Sequence, residues 1–185
     1  YIALNFDFPM KQFFLFVLFV SALFACKKKE KSPHSAENTD FTSIQQYDVH
    51  AVHIGSLGDA SDDYKNEEWP DWVYDLFIPL DTANILGYKK SEVTIDRLYP
   101  NPCADTQTLR YFATQPVNLK LVIIDQRKNV YLRQSYHLYS TIHDIGLKYD
   151  TLDMQAGNYY RMFYAFSAEN HPFFYKGHID ILKDR

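Results

Sequence analysis

The sequence predicts an antiparallel all-β protein, a sandwich of about seven strands preceded by a smaller β subregion. Three observations carry that reading. Short runs rich in β-branched and aromatic residues recur between turn residues from position 91 onward, several of them alternate apolar and polar with a period of two, and helix-period stretches are nearly absent.

The N-terminal elements come first. Read from Met10, the first methionine, the chain shows Lys11 and then an almost unbroken apolar run over 13–25. A membrane-crossing helix needs roughly 20 apolar residues. This run is shorter and meets Cys26 and three lysines, so residues 1–25 read as a cleaved signal peptide. The junction Leu23-Phe24-Ala25-Cys26 resembles the lipobox of bacterial lipoproteins, with a bulky Phe24 at a loosely specified position. The resemblance implies that Cys26 becomes the diacylglycerol-bearing, acylated N-terminus. Each buried CH₂ of such chains contributes about 0.8 kcal/mol, which holds a protein at a bilayer without a spanning helix. The alternatives are a secreted protein with an incidental cysteine and a short membrane anchor.

With Cys26 lipidated, Cys103 has no cysteine to pair with, so the domain is expected to be stable through packing, with Cys103 a small buried hydrophobe. A net charge of −4 without a basic stripe argues against nucleic acid as a partner. Residues 26–40 comprise the lipidated cysteine and a polar, charged stretch too poor in apolar groups to fold, hence a disordered tether.

Residues 41–90 form the smaller β subregion, with expected strands over 47–54 and 73–80 around an acidic loop. That loop reads as solvated and no metal or cofactor is expected. The oxygen ligands it would offer to calcium are Asp59, Asp62, Asp63 and Glu67, although the alternating D-x-D-x-D-G register is missing. Trp69 and Trp72 are the candidate aromatics for a sugar or partner surface, since large rings bind with little lost rotamer freedom.

Residues 91–185 are the sandwich, with strands expected over 93–98, 108–113, 117–125, 130–136, 145–152, 159–166 and 173–182. Leu119, Leu121 and Ile123 face one way, Asn118 and Lys120 the other. In the last strand Phe173, Tyr175, Ile179 and Ile181 oppose Lys176, His178 and Asp180, which puts His178 and Asp180 on an outer face as a solvated pair. His50 and His53 are three apart in an expected strand and point to opposite faces. The motifs G-x-S-x-G, H-E-x-x-H and G-x-x-x-x-G-K-[ST] are missing from the sequence.

Tyr99-Pro100-Asn101-Pro102 after VTIDRL, the strand LKLVIID, and the stretch from Asp150 through Ala156-Gly157-Asn158-Tyr159-Tyr160 resemble the C-terminal β-sandwich of the type IX secretion sorting domains of Bacteroidetes. The resemblance covers roughly the last 90 residues and departs at Lys128, where the family usually has glycine, and at Cys103. It implies an immunoglobulin-like sandwich, used here as the protein's own body.

The functional expectation is a non-enzymatic outer-membrane lipoprotein on the periplasmic face, anchored by its N-terminal lipid and binding an envelope protein or glycan. In the lipoprotein family an aspartate after the cysteine is linked with inner-membrane retention, and this chain has Lys27. Two alternatives stand beside it: a working type IX sorting domain with a small cargo, and a carbohydrate-active or hydrolytic envelope protein using the acidic loop and the tryptophans.

Overall fold

The computed structural model describes residues 41–80, 91–139, 142–168 and 171–184, Asp62 excepted. The stretch expected to be a signal peptide, with Leu23, Phe24, Ala25 and Cys26, and the expected tether lie outside the described residues. Strands β1 (Ile44–Tyr47) and β2 (His53–Leu57) precede one short helix, α1 (Asp71–Phe77). Then follow β3 (Val93–Tyr99), β4 (Thr106–Ala113), β5 (Val117–Asp125), β6 (Val130–Leu138), β7 (Ile142–Lys148), β8 (Tyr159–Ala168) and β9 (His171–Leu182). The chain is mostly β, and every sheet is antiparallel. β1 pairs with β2, β3-β4-β7 form a three-stranded sheet, and β6-β5-β8-β9 form a four-stranded one. No helix among the described residues is long and apolar enough to cross a membrane.

The period-two alternation places the core. Ile95, Leu109 and Tyr111 from the smaller sheet share one buried cluster with Leu119, Leu121, Ile123, Met162, Tyr164 and Ile179 from the larger. Each large apolar side chain so buried stabilises by about 1.5–3 kcal/mol. Cys103 belongs to the same cluster, and burial pushes its thiol up to about 12. It is therefore protonated and inert at neutral pH.

The opposite face of β5 and β8 is buried as well. Val122, Ile124, Phe163 and Ala165 pack under Phe41, Trp69, Val73 and Phe77 in a second cluster. Residues 41–80 thus supply a layer over the outer face of the larger sheet, and every residue of β5 up to Ile124 is buried. The described residues belong to a compact unit spanning Asn38–Arg185.

Four local expectations are corrected. The run read as a strand over 73–80 contains α1: Pro70 stands at the N-cap, Asp71 occupies the first turn, and Val73 and Phe77, four apart, share the buried face. The strand expected over 47–54 is broken by a turn in which Asp48 accepts hydrogen bonds from the amides of His50 and Val52 and Ala51 takes φ 64°. The strand expected over 145–152 starts three residues earlier and ends before Tyr149, whose amide turns to the Asp105 carbonyl. Phe173 joins the second cluster rather than the side of Tyr175 and Ile179, because its φ of 54° and the register shift opposite Phe166 and Ala168 break the alternation.

A buried carboxylate and histidine cluster on the last strand

The acidic stretch does not stand in solvent as a whole. Residues 63–69 lie along β9, with Tyr64 N donating to the His178 carbonyl (3.2 Å), Glu67 N to Lys176 (2.9 Å), and Lys176 N to Asn66 Oδ1 (3.0 Å). The hydroxyl of Tyr164 donates to the Lys65 carbonyl (2.7 Å) and that of Tyr175 to the Tyr64 carbonyl (3.1 Å). Gly177 makes the approach possible: a Cβ there would land on the Lys65 carbonyl oxygen and on the Tyr164 ring.

This contact carries Asp63 and Glu67 to the polar face of β9, where the strand's period of two brings His178 and Asp180 to the same side. Asp63 is 3% exposed, His178 3% and Asp180 0%, so the expectation of a solvated His178–Asp180 pair is overturned. Layer 41–80 covers a face that the alternation alone leaves to water. Arg161 on β8 clamps Asp180 with Nε–Oδ1 at 2.6 Å and Nη2–Oδ2 at 2.8 Å, and its guanidinium lies 4.4 Å from the centre of the Phe41 ring. His178 Nδ1 donates to Glu67 Oε1 (2.7 Å), which also accepts from Trp69 Nε1 (3.0 Å). Asp63 Oδ1 accepts from the Asp180 amide (3.2 Å) and lies 4.0 Å from His178 Nε2, while Oδ2 has no hydrogen-bond partner among the described residues.

No protein-family model matches this chain, and no curated protein matches it.

Of the calcium candidates, the structure brings Asp63 and Glu67 together and leaves Asp59 apart, exposed and accepting from the Ser61 amide (3.1 Å). Asp62 lies outside the described residues. Trp69 is buried against Phe77 and Phe163 and offers no exposed platform. Trp72, half-buried, packs edge-on against Phe163 and lies under the Lys128 ammonium, 4.4 Å from the ring centre. The residues that sequence reasoning missed as a group are Arg161, His178 and Asp180. The signal for them is that His178 and Asp180 alternate along the last strand while a charged residue, Arg161, lies in the strand before it.

Electrostatics set the chemistry of the cluster. Burial first, then the neighbouring Asp180 carboxylate, push the Asp63 carboxyl up to about 7. Burial pulls the His178 imidazole down, but the Glu67 hydrogen bond and the charges of Glu67 and Asp180 outweigh it and Arg161, so it ends above its ordinary value. Because the folded state holds Asp63's proton more tightly than the unfolded chain does, its contribution is full below the unfolded pKa and is lost as pH rises through about 7. A shift of roughly three units corresponds to about 4 kcal/mol. His178 acts in the same direction. Denaturant unfolding of the EDTA-treated protein between pH 4.5 and 8 is therefore expected to show stability falling as pH rises, and Asp63→Asn to flatten most of the slope. A wild-type profile that is level or rises across this range refutes the assignment.

The outer face of β3-β4-β7 differs from that of the larger sheet. Arg110 pairs with Asp144 through two hydrogen bonds of 2.7 Å, and its Nη2 donates to the Tyr99 hydroxyl (3.1 Å). Beside this pair Phe112 and Ile142 are 40% and 67% exposed. Together with Thr94 and Asp96 they border a shallow cavity of about 560 Å³.

Proposed function

We propose that this chain is a non-catalytic envelope lipoprotein: an immunoglobulin-like β-sandwich that is held at the outer membrane by lipid on Cys26, faces the periplasm, and binds an envelope protein or glycan. The Leu23-Phe24-Ala25-Cys26 junction after the short apolar run carries the anchoring half of the reading. The strand orders β3-β4-β7 and β6-β5-β8-β9 around one shared core support the sandwich. The binding half rests on the face of β3-β4-β7, where exposed Phe112 and Ile142 flank the Arg110–Asp144 pair. An apolar centre beside a fixed ion pair and tyrosine is the composition of protein-binding patches.

The decisive experiment is the Cys26→Ser variant. It is expected to lose palmitate labelling and to move from the membrane to the soluble fraction while its body stays folded. Unchanged labelling or fractionation would end this reading.

A second reading, the type IX sorting domain with a small cargo, is favoured by the YPNP turn and the Gly157-x-Tyr159 element. It implies removal of the last roughly 90 residues. The second core argues for the first reading, because separating 41–80 from β5 and β8 would strip Val122, Ile124 and Phe163 of their cover. Mass spectrometry of cell and medium fractions distinguishes the two: an intact membrane-bound chain supports the anchored lipoprotein.

A further inference from the structure

The geometry points to a divalent transition-metal site formed by Asp63, His178 and Asp180, in which the ion ties residues 63–69 to β9. This inference is independent of the membrane-anchoring reading and rests on the buried cluster alone.

One ligand atom from each of the three residues lies within 4.8 Å of the others. Tetrahedral zinc ligands at 2.0–2.1 Å stand about 3.3 Å from one another, so closure needs side-chain shifts of roughly an ångström. The second observation is the Asp63 side chain itself. It is 97% buried, and its Oδ2 lacks any hydrogen-bond partner among the described residues. A cation would give this buried oxygen the partner it lacks.

The surroundings are those of a metal ligand set. The Nδ1–H of His178 is donated to Glu67, which fixes the tautomer that presents Nε2 toward Asp63. Metal-bound histidines almost always donate the other ring N–H to a carboxylate, a backbone carbonyl or water, and Glu67 fills that role here. Asp180 is oriented by Arg161, which bonds both of its oxygens. Metal binding takes Asp63 in its ionised form, and the Asp63 and Asp180 carboxylates then face the single Arg161 guanidinium, an excess of negative charge that favours a cation. An imidazole beside two carboxylates suits zinc or a neighbouring transition metal over calcium, which takes six to eight oxygens.

The test is titration of the EDTA-treated full chain, purified in detergent, with Zn²⁺ alone, followed by calorimetry and melting. One equivalent is expected to bind and raise the melting temperature, with Ca²⁺ inert at the same concentration. Asp63→Asn and His178→Ala are expected to weaken Zn²⁺ binding at least 100-fold, and Glu67→Gln by about 10–100-fold. Should either of the first two fail to fold, the wild type decides: Zn²⁺ must shift the His178 ring resonances ahead of those of exposed His50 and His53. The proposal is overturned if the wild type binds no Zn²⁺, if binding survives unchanged in folded Asp63→Asn and His178→Ala, or if the exposed histidines respond first.

Discussion

Replacing Gly177 with alanine is expected to destabilise the body by at least about 3 kcal/mol and to release residues 63–69 from β9. The added methyl group falls on the Lys65 backbone carbonyl and the Tyr164 ring, and neither is a flexible chain end that can swing aside. Tyr164 is fully buried and also donates its hydroxyl to that same carbonyl. The bonds from Tyr64 N to the His178 carbonyl and from Glu67 N to the Lys176 carbonyl flank the glycine, so separating the two segments breaks both. Urea unfolding gives the energy, and hydrogen exchange at the Tyr64 and Glu67 amides gives the location. Gly146 is the matched control, because a Cβ there meets nothing within 4 Å and alanine should be nearly neutral. Equal stability of the two variants, or unchanged protection at Tyr64 and Glu67, contradicts the proposed contact.

The same contact explains which parts of the molecule were legible in the sequence. β5 was, because Leu119, Leu121 and Ile123 alternate strictly and turn residues bound the run. α1 was not. The run over 73–80 is short enough that a strand and a helix bury comparable apolar surface, and Val73 and Phe77 fit the helical period as well as Tyr74, Leu76 and Ile78 fit a period of two. What settles it is tertiary: a helical turn sets Val73 and Phe77 onto Val122, Ile124 and Phe163. The cluster around Asp63 was out of reach for a different reason. Asp63 and Asp180 are 117 positions apart, and their meeting depends on a backbone approach at Gly177 that no local pattern announces. His178 and Asp180 look like a solvated edge in sequence because period two reports only that they share a side. It cannot say that another layer covers that side.

Asn101→Ala is the second large effect, expected to cost about 3–5 kcal/mol, a substantial part of the 5–15 kcal/mol typical of a domain. As a turn residue between two prolines, Asn101 reads as replaceable by any residue that tolerates the turn. Its side chain is instead fully buried: Nδ2 donates to the carbonyls of Asp180 (2.8 Å) and Gln45 (3.3 Å), and Oδ1 accepts from the Leu182 amide (3.2 Å). Its own amide and carbonyl exchange two 3.0 Å bonds with Tyr47. One residue thus joins β1, β9 and the β3–β4 connection, and alanine leaves three backbone groups, that of Asp180 in a fully buried contact and those of Gln45 and Leu182 in part-buried ones, without the partners that compensate their desolvation. Asn101→Asp separates this account from simple packing. Nearly isosteric, it fills the same space but aims oxygen rather than N–H at two carbonyls, so it should destabilise at least as much as alanine at pH 7. Melting both variants beside the wild type decides it: an aspartate variant close to wild type would mean that shape, and not the pair of donated hydrogen bonds, holds the joint.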